Sequence, residues 1–68
     1  MKYICFKFSR EGEIYINAED ISAVRPTESK GICTIVLRSG FVYDNIKCDA
    51  KLLAKTLVNG SNGLYYFD

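Results

Sequence analysis

Residues 32–47 read ICTIVLRSGFVYDNIK, and this stretch decides the fold. Its first half, Ile32 to Arg38, is the strongest strand signal in the chain, rich in the β-branched residues that suit a pleated, half-buried surface. Ser39-Gly40 is a tight-turn signal, and Phe41 to Lys47 returns as a second strand. The register of this hairpin has two solutions. A two-residue loop pairs Leu37 with Val42, whereas a three-residue loop with Gly40 in a bulge pairs Leu37 with Phe41. A slip of one residue reverses the faces, so the core receives either Phe41 and Tyr43 or Val42 and Ile46.

Upstream, the period of two continues. KYICFKF (2–8) places Ile4, Phe6 and Phe8 on one face, with Cys5 and Lys7 on the other. SREG (9–12) reads as a turn, and EIYIN (13–17) as a strand with Ile14 and Ile16 inward, so the two strands form a hairpin. NAEDI (17–21) is polar and fits a turn or a single helical turn capped by Asn17. ISAVRPT (21–27) is a third strand, with Pro26 at an edge, a bulge or the strand end because it lacks an N–H. ESKG (28–31) is the turn before the central hairpin.

Downstream, the period changes. DAKLLAKTLVNG (49–60) puts Leu52, Leu53, Leu57 and Val58 in one helical stripe, with Lys51 and Lys55 opposite. Asp49 is a good N-cap, and Gly60 suits the left-handed position that ends a helix. After the turn at 60–63 come Leu64, Tyr65, Tyr66 and Phe67. Terminal residues are usually polar and frayed; these four read as a short terminal strand. The fold expected is α+β: a small, strongly bent antiparallel sheet of four to five strands, barrel-like, with one C-terminal helix and room for that short strand.

The 68 residues form a single domain, 1–68. With 49% hydrophobic and 25% charged residues, the composition is that of a folded domain rather than a disordered chain. The net charge of +1 gives no bulk attraction to nucleic acid and little repulsion between copies. No apolar run reaches membrane-spanning length. The N-terminal stretch is too short and too alternating for a signal peptide. Asn59-Gly60-Ser61 therefore carries no weight as a glycosylation site, and a cytoplasmic location is expected. Cys5, Cys33 and Cys48 are odd in number and form no Cys-x-x-Cys motif. Reduced thiols are expected; a Cys5–Cys33 bridge between neighbouring strands would leave Cys48 alone.

The run EIYINAEDISAVRP…GICTIVLRSGFVYDNIK…AKLLAKTL, about residues 13–58, resembles the FlbD family of short flagellar proteins. More loosely, it is similar to the small β units of LytTR-type DNA-binding domains. The features that carry the resemblance are hydrophobic spacing with Asn17, Gly31 and Gly40. It implies a small β-rich domain with a regulatory role and transfers no DNA-contacting residue.

Chemistry has little to stand on. The chain has no histidine, which removes His-based acid–base catalysis and Ser–His or Cys–His pairs. It also leaves at most three thiolates for zinc. No phosphate-binding glycine loop is present, and Glu11, Glu13, Glu19 and Asp20 read as solvated acids. No catalytic, cofactor-binding or metal site is assigned. The expected function is a non-enzymatic protein–protein interaction domain, self-associating, and a regulator or inhibitor of phage or bacterial origin. Its partner is a protein or another copy of itself, with Leu64, Tyr65, Tyr66 and Phe67 as the contact. Those four also have a plain reading as a tail that folds back on its own core. The alternative is a nucleic-acid-binding regulator that uses a basic side of the sheet, through Arg25, Lys30, Arg38 and Lys47, with Tyr15 and Tyr43 for stacking. Ordinary solvated charge explains the same residues.

Overall fold

The computed structural model describes residues 1–7 and 12–67. Phe8, most of the turn expected over 9–12, and Asp68 lie outside the described residues. The elements run β1 (Lys2–Lys7), β2 (Glu13–Asn17), a 3₁₀ turn (Ala18–Asp20), β3 (Ile21–Pro26), β4 (Ile32–Leu37), β5 (Val42–Lys47), α1 (Ala50–Asn59) and β6 (Gly63–Phe67). Among the described residues, six strands and one helix make a small α+β fold.

The single bent, barrel-like antiparallel sheet expected from the sequence is instead two three-stranded sheets, in the orders β2-β1-β6 and β3-β4-β5. The meander is broken at Ala18–Asp20. There the Asn17 side chain accepts the Glu19 N–H at 3.0 Å, and the Ile21 N–H closes onto the Ala18 carbonyl. That turn redirects the chain, so β3 pairs with β4 rather than with β2. The first sheet is also mixed rather than antiparallel. β6 runs parallel to β1, from Lys2 opposite Gly63 to Phe6 opposite Phe67. Parallel pairing needs a long connection, and here all the intervening elements supply it.

Between the sheets lies one core. Ile4, Phe6, Ile16 and Phe67 come from the first sheet, Cys33, Ile35 and Ile46 from the second, Leu53 from α1, and Cys48 from the link before it. The inward faces of β1 and β2 are those expected, with Ile4, Phe6 and Ile16 buried and Ile14 half-buried.

The central hairpin takes the three-residue loop: the Leu37 N–H donates to the Phe41 carbonyl and the Gly40 N–H to the Leu37 carbonyl, both at 2.9 Å. Gly40 sits at φ +95°, where a side chain would be strained. Yet the core takes neither expected pair. Tyr43 faces Ile35 and Ile46 faces Cys33, while Phe41 and Val42 stay exposed. The register shifts between these two pairs, and Asn45 within the shift adopts φ +59°. One extra residue in a bulge flips the parity, and asparagine is among the few side chains that tolerate this backbone.

The helix starts as expected, with the Asp49 carboxylate accepting the N–H groups of Lys51 (2.9 Å) and Leu52 (3.3 Å). Its buried stripe is narrower than the sequence implied. Leu53 is buried, with Ala50 and Leu57 packed beside it, but Leu52 and Val58 are exposed. A helix on a small core buries only the 50, 53, 57 row, and Leu52 and Val58 each lie about 100° off it. Gly60 is not left-handed either: it is extended (φ −71°, ψ 143°) with its N–H on the Thr56 carbonyl. Glycine serves there by having no side chain, because a Cβ would stand 2.6 Å from the Thr56 carbonyl oxygen and 2.9 Å from the Tyr65 hydroxyl. Lys2 also reaches this end of the helix. Its Nζ donates to Thr56 O (3.1 Å) and Leu57 O (2.6 Å), placing a cation on the negative end of the helix dipole.

Candidate interaction surface

Alternation along β1 sends Tyr3, Cys5 and Lys7 to the face opposite the core. The pairing registers set Asn17, Tyr15 and Glu13 beside them on one flank, and Leu64 and Tyr66 on the other. The result is a continuous outer face across three strands on which Tyr3 (37%), Leu64 (44%), Tyr15 (53%) and Tyr66 (66%) are exposed. Cys5 lies on this face yet is buried, because Tyr15 and Tyr66 occupy the register positions on both sides of it.

Among the described residues, charge on this face is confined to the Lys7–Glu13 end. The Tyr15 hydroxyl donates to Glu13 Oε1 at 2.9 Å. Losing that proton would break the bond and set two anions together, so the Tyr15 pKa is pushed up to about 12. The phenol therefore stays neutral near physiological pH.

β6 forms the edge of this sheet. In a parallel ladder, alternate residues direct both backbone groups to the same neighbour. Gly63 donates its N–H to the Met1 carbonyl at 2.9 Å, so residues 63, 65 and 67 face β1. The backbone groups of Leu64 and Tyr66 therefore face away from β1, on the open side of this edge strand. The four tail residues singled out in the sequence therefore divide by parity. Phe67 is buried, its ring 5.8 Å from that of Phe6 at a tilt of 30°. Tyr65 is half-buried and its hydroxyl donates to the Ser61 carbonyl at 3.0 Å. Leu64 and Tyr66 point outward. Tyr3 and Tyr15, which the sequence reading did not join to the tail, complete the surface. Their odd-numbered positions in alternating strands were the available signal, but only the strand order unites them.

The four basic residues of the nucleic-acid reading are exposed but dispersed. Arg25 stands opposite Thr34, and Lys47 opposite Ile32. Thr34 donates to Asp44 Oδ1 at 3.2 Å, so an acid sits on the same face. Lys30 lies in the turn before β4. Arg38 follows the other end of β4, about 20 Å along the strand from Lys47. Arg38 and Lys47, which could have shared a side, are thus separated. Tyr15 belongs to the first sheet, whereas Tyr43 faces the core of the second and packs edge-on against Phe41 at 4.8 Å.

A cleft of about 490 Å³ lies between the 27–31 turn and the start of α1, with Val24, Pro26 and Ile32 as its apolar lining and Lys30 and Lys51 at its sides. Cys48 reaches it, but burial, with Cys33 and Asp49 nearby, pushes this thiol up to about 12. Burial also raises the Cys33 thiol. All three cysteines are free, so the Cys5–Cys33 bridge is not formed. Cys5 faces outward from the first sheet, and the thiol beside Cys33 is that of Cys48. Among the described residues, no group of three His, Cys, Asp or Glu side chains is placed to hold a metal. No described helix is long and apolar enough to cross a membrane.

The raised thiols give a pH expectation. A folded pKa above the unfolded value means that the contribution of Cys48 is complete below pH 9 and is lost as pH rises towards 12. At pH 8 the native protein should leave Cys33 and Cys48 unlabelled by a disulfide thiol reagent, and all three cysteines should react once urea unfolds it. Rapid labelling of native Cys48 would contradict the burial argument.

Compared with protein-family models, with curated proteins and with solved structures, the chain gives no significant match.

Proposed function

We propose that the protein is a non-enzymatic interaction domain that self-associates and acts as a regulator through protein contact. The observation that carries this reading is the coincidence of two features on one flank. Leu64 and Tyr66 join Tyr3 and Tyr15 in one exposed face, and the same two residues direct their backbone groups away from β1 at the sheet edge. At about 200 Å² per tyrosine side chain, the exposed parts of these residues amount to about 400 Å². Patches of that size on small proteins are often functional. A net charge of +1 opposes association only weakly, and a 68-residue chain with one small core gains stability by burying more surface against a second copy.

Sedimentation across a concentration series near physiological salt tests the reading. A reversible dimer is expected, with little dependence on salt because the flank is almost uncharged. A chain that stays monomeric to millimolar concentration overturns self-association. Salt-steep binding of DNA or RNA by such a monomer would favour the basic residues instead.

A further inference from the structure

We infer that two copies join by pairing β6 with a second, antiparallel β6 across a two-fold axis at Tyr65, giving one continuous sheet of order β2-β1-β6-β6-β1-β2. This deepens the self-association reading and rests on it. The occupant follows from the backbone. The groups that face away from β1 belong to Leu64 and Tyr66, two residues apart with Tyr65 between them. An antiparallel strand centred on Tyr65 brings Leu64 of one copy opposite Tyr66 of the other. There the two residues exchange both N–H and C=O bonds, and Tyr65 meets its own copy as the non-hydrogen-bonded pair. A symmetric contact must be self-complementary in this way, and this short strand is.

The other edges carry devices that discourage such pairing. On β3 these are Arg25, Pro26 and a register shift after Ile21; on β5 they are Asp44, Lys47 and the bulge at Asn45. β2 has Glu13. β6 reads GLYYF, with no charge, no proline and no register shift against β1. On the outer face, Leu64 of one copy lies beside Tyr66 of the other, an aliphatic–aromatic pair of the kind that stabilises cross-strand contacts. A five-residue edge covers less than the roughly 800 Å² per partner of a standard interface. The dimer is therefore a weak, concentration-dependent one, and pairing aligns the two aromatic faces side by side.

Amide hydrogen exchange on the full chain, followed residue by residue by NMR across its monomer–dimer transition, reads this geometry directly. The Leu64 and Tyr66 amides should gain protection by about tenfold or more as the dimer fills. The Tyr65 amide, already directed to β1, should change little. A second test uses Leu64→Pro, which removes only the outward N–H and suits an edge position. It should weaken dimerisation at least about tenfold while the circular dichroism spectrum is kept. Leu64→Lys, which charges the same edge, should do likewise and serves if the proline variant does not fold. Leu64 and Tyr66 amides that exchange freely in a sample shown to be dimeric would overturn the edge pairing and leave self-association standing. A chain that is monomeric throughout would remove both.

Discussion

A chain cut after Gly60 is expected to be largely unfolded at room temperature. β6 is an integral strand of the fold: it pairs with β1 along its whole length, from Gly63 opposite Lys2 to Phe67 opposite Phe6. Its removal strips one entire side of the backbone ladder from β1, the central strand of the first sheet. It also uncovers Phe6, which is fully buried and packs its ring on Phe67. Losing one buried phenylalanine costs about 3–5 kcal/mol. The half-buried Tyr65 and the ladder bonds add to that. A domain this small sits at the low end of roughly 5–15 kcal/mol of stability, so the loss is of the same size as the whole. Circular dichroism and a thermal melt of the 1–60 chain check this. A cooperative melt near the wild-type temperature would show that β6 contributes little to the fold of one chain. Leu64→Ser together with Tyr66→Ser keeps the inward residues and should still fold, which separates the role of β6 in the core from its role at the edge.

The sequence made most of the elements legible, because alternation and punctuation are local. β2, the capped turn after Asn17, the strand end at Pro26 and the Asp49 cap can all be read from a few neighbouring residues. What stayed hidden depends on partners distant in the chain. Alternation says that Ile4 and Phe6 share a face but not which strands flank β1. The burial of Cys5 follows only when Tyr15 and Tyr66 are known to be its neighbours. The hairpin faces depended on Asn45, whose single positive φ inverts the parity of a strand that otherwise looks regular. Nothing local to Lys2 marks it as the cation at the end of α1, more than fifty residues away. The candidate surface was half visible. Leu64 and Tyr66 stood out as apolar residues where polar ones are usual, and Tyr3 and Tyr15 joined them only through the sheet order.

Phe6→Ala is expected to be the most damaging single substitution in the core, and its comparison with two milder changes tests where the core lies. Phe6 is fully buried on the central strand of its sheet, at the meeting point of β1 and β6. Truncation removes the ring and leaves a void that rigid strands on both sides close only partly, at about 3–5 kcal/mol. The contact with Phe67 is worth about 0.5–1.5 kcal/mol beyond its buried area. Phe6→Leu retains most of the apolar volume and should cost about 1–1.5 kcal/mol. Phe41 offers a contrast, because it too makes an aromatic contact, edge-on with Tyr43 at 4.8 Å, but remains 56% exposed. Phe41→Ala should cost less than about 1 kcal/mol, since little apolar surface returns to water. Urea denaturation gives the order directly, with a stabilising osmolyte added to all samples so that the weakest variant still shows a folded baseline. Equal losses for Phe6→Ala and Phe41→Ala would place the centre of the core on the second hairpin. A large loss for Phe6→Ala with a small one for Phe41→Ala locates it between β1 and β6, where the same strand that closes the core presents its other side as the uncharged edge.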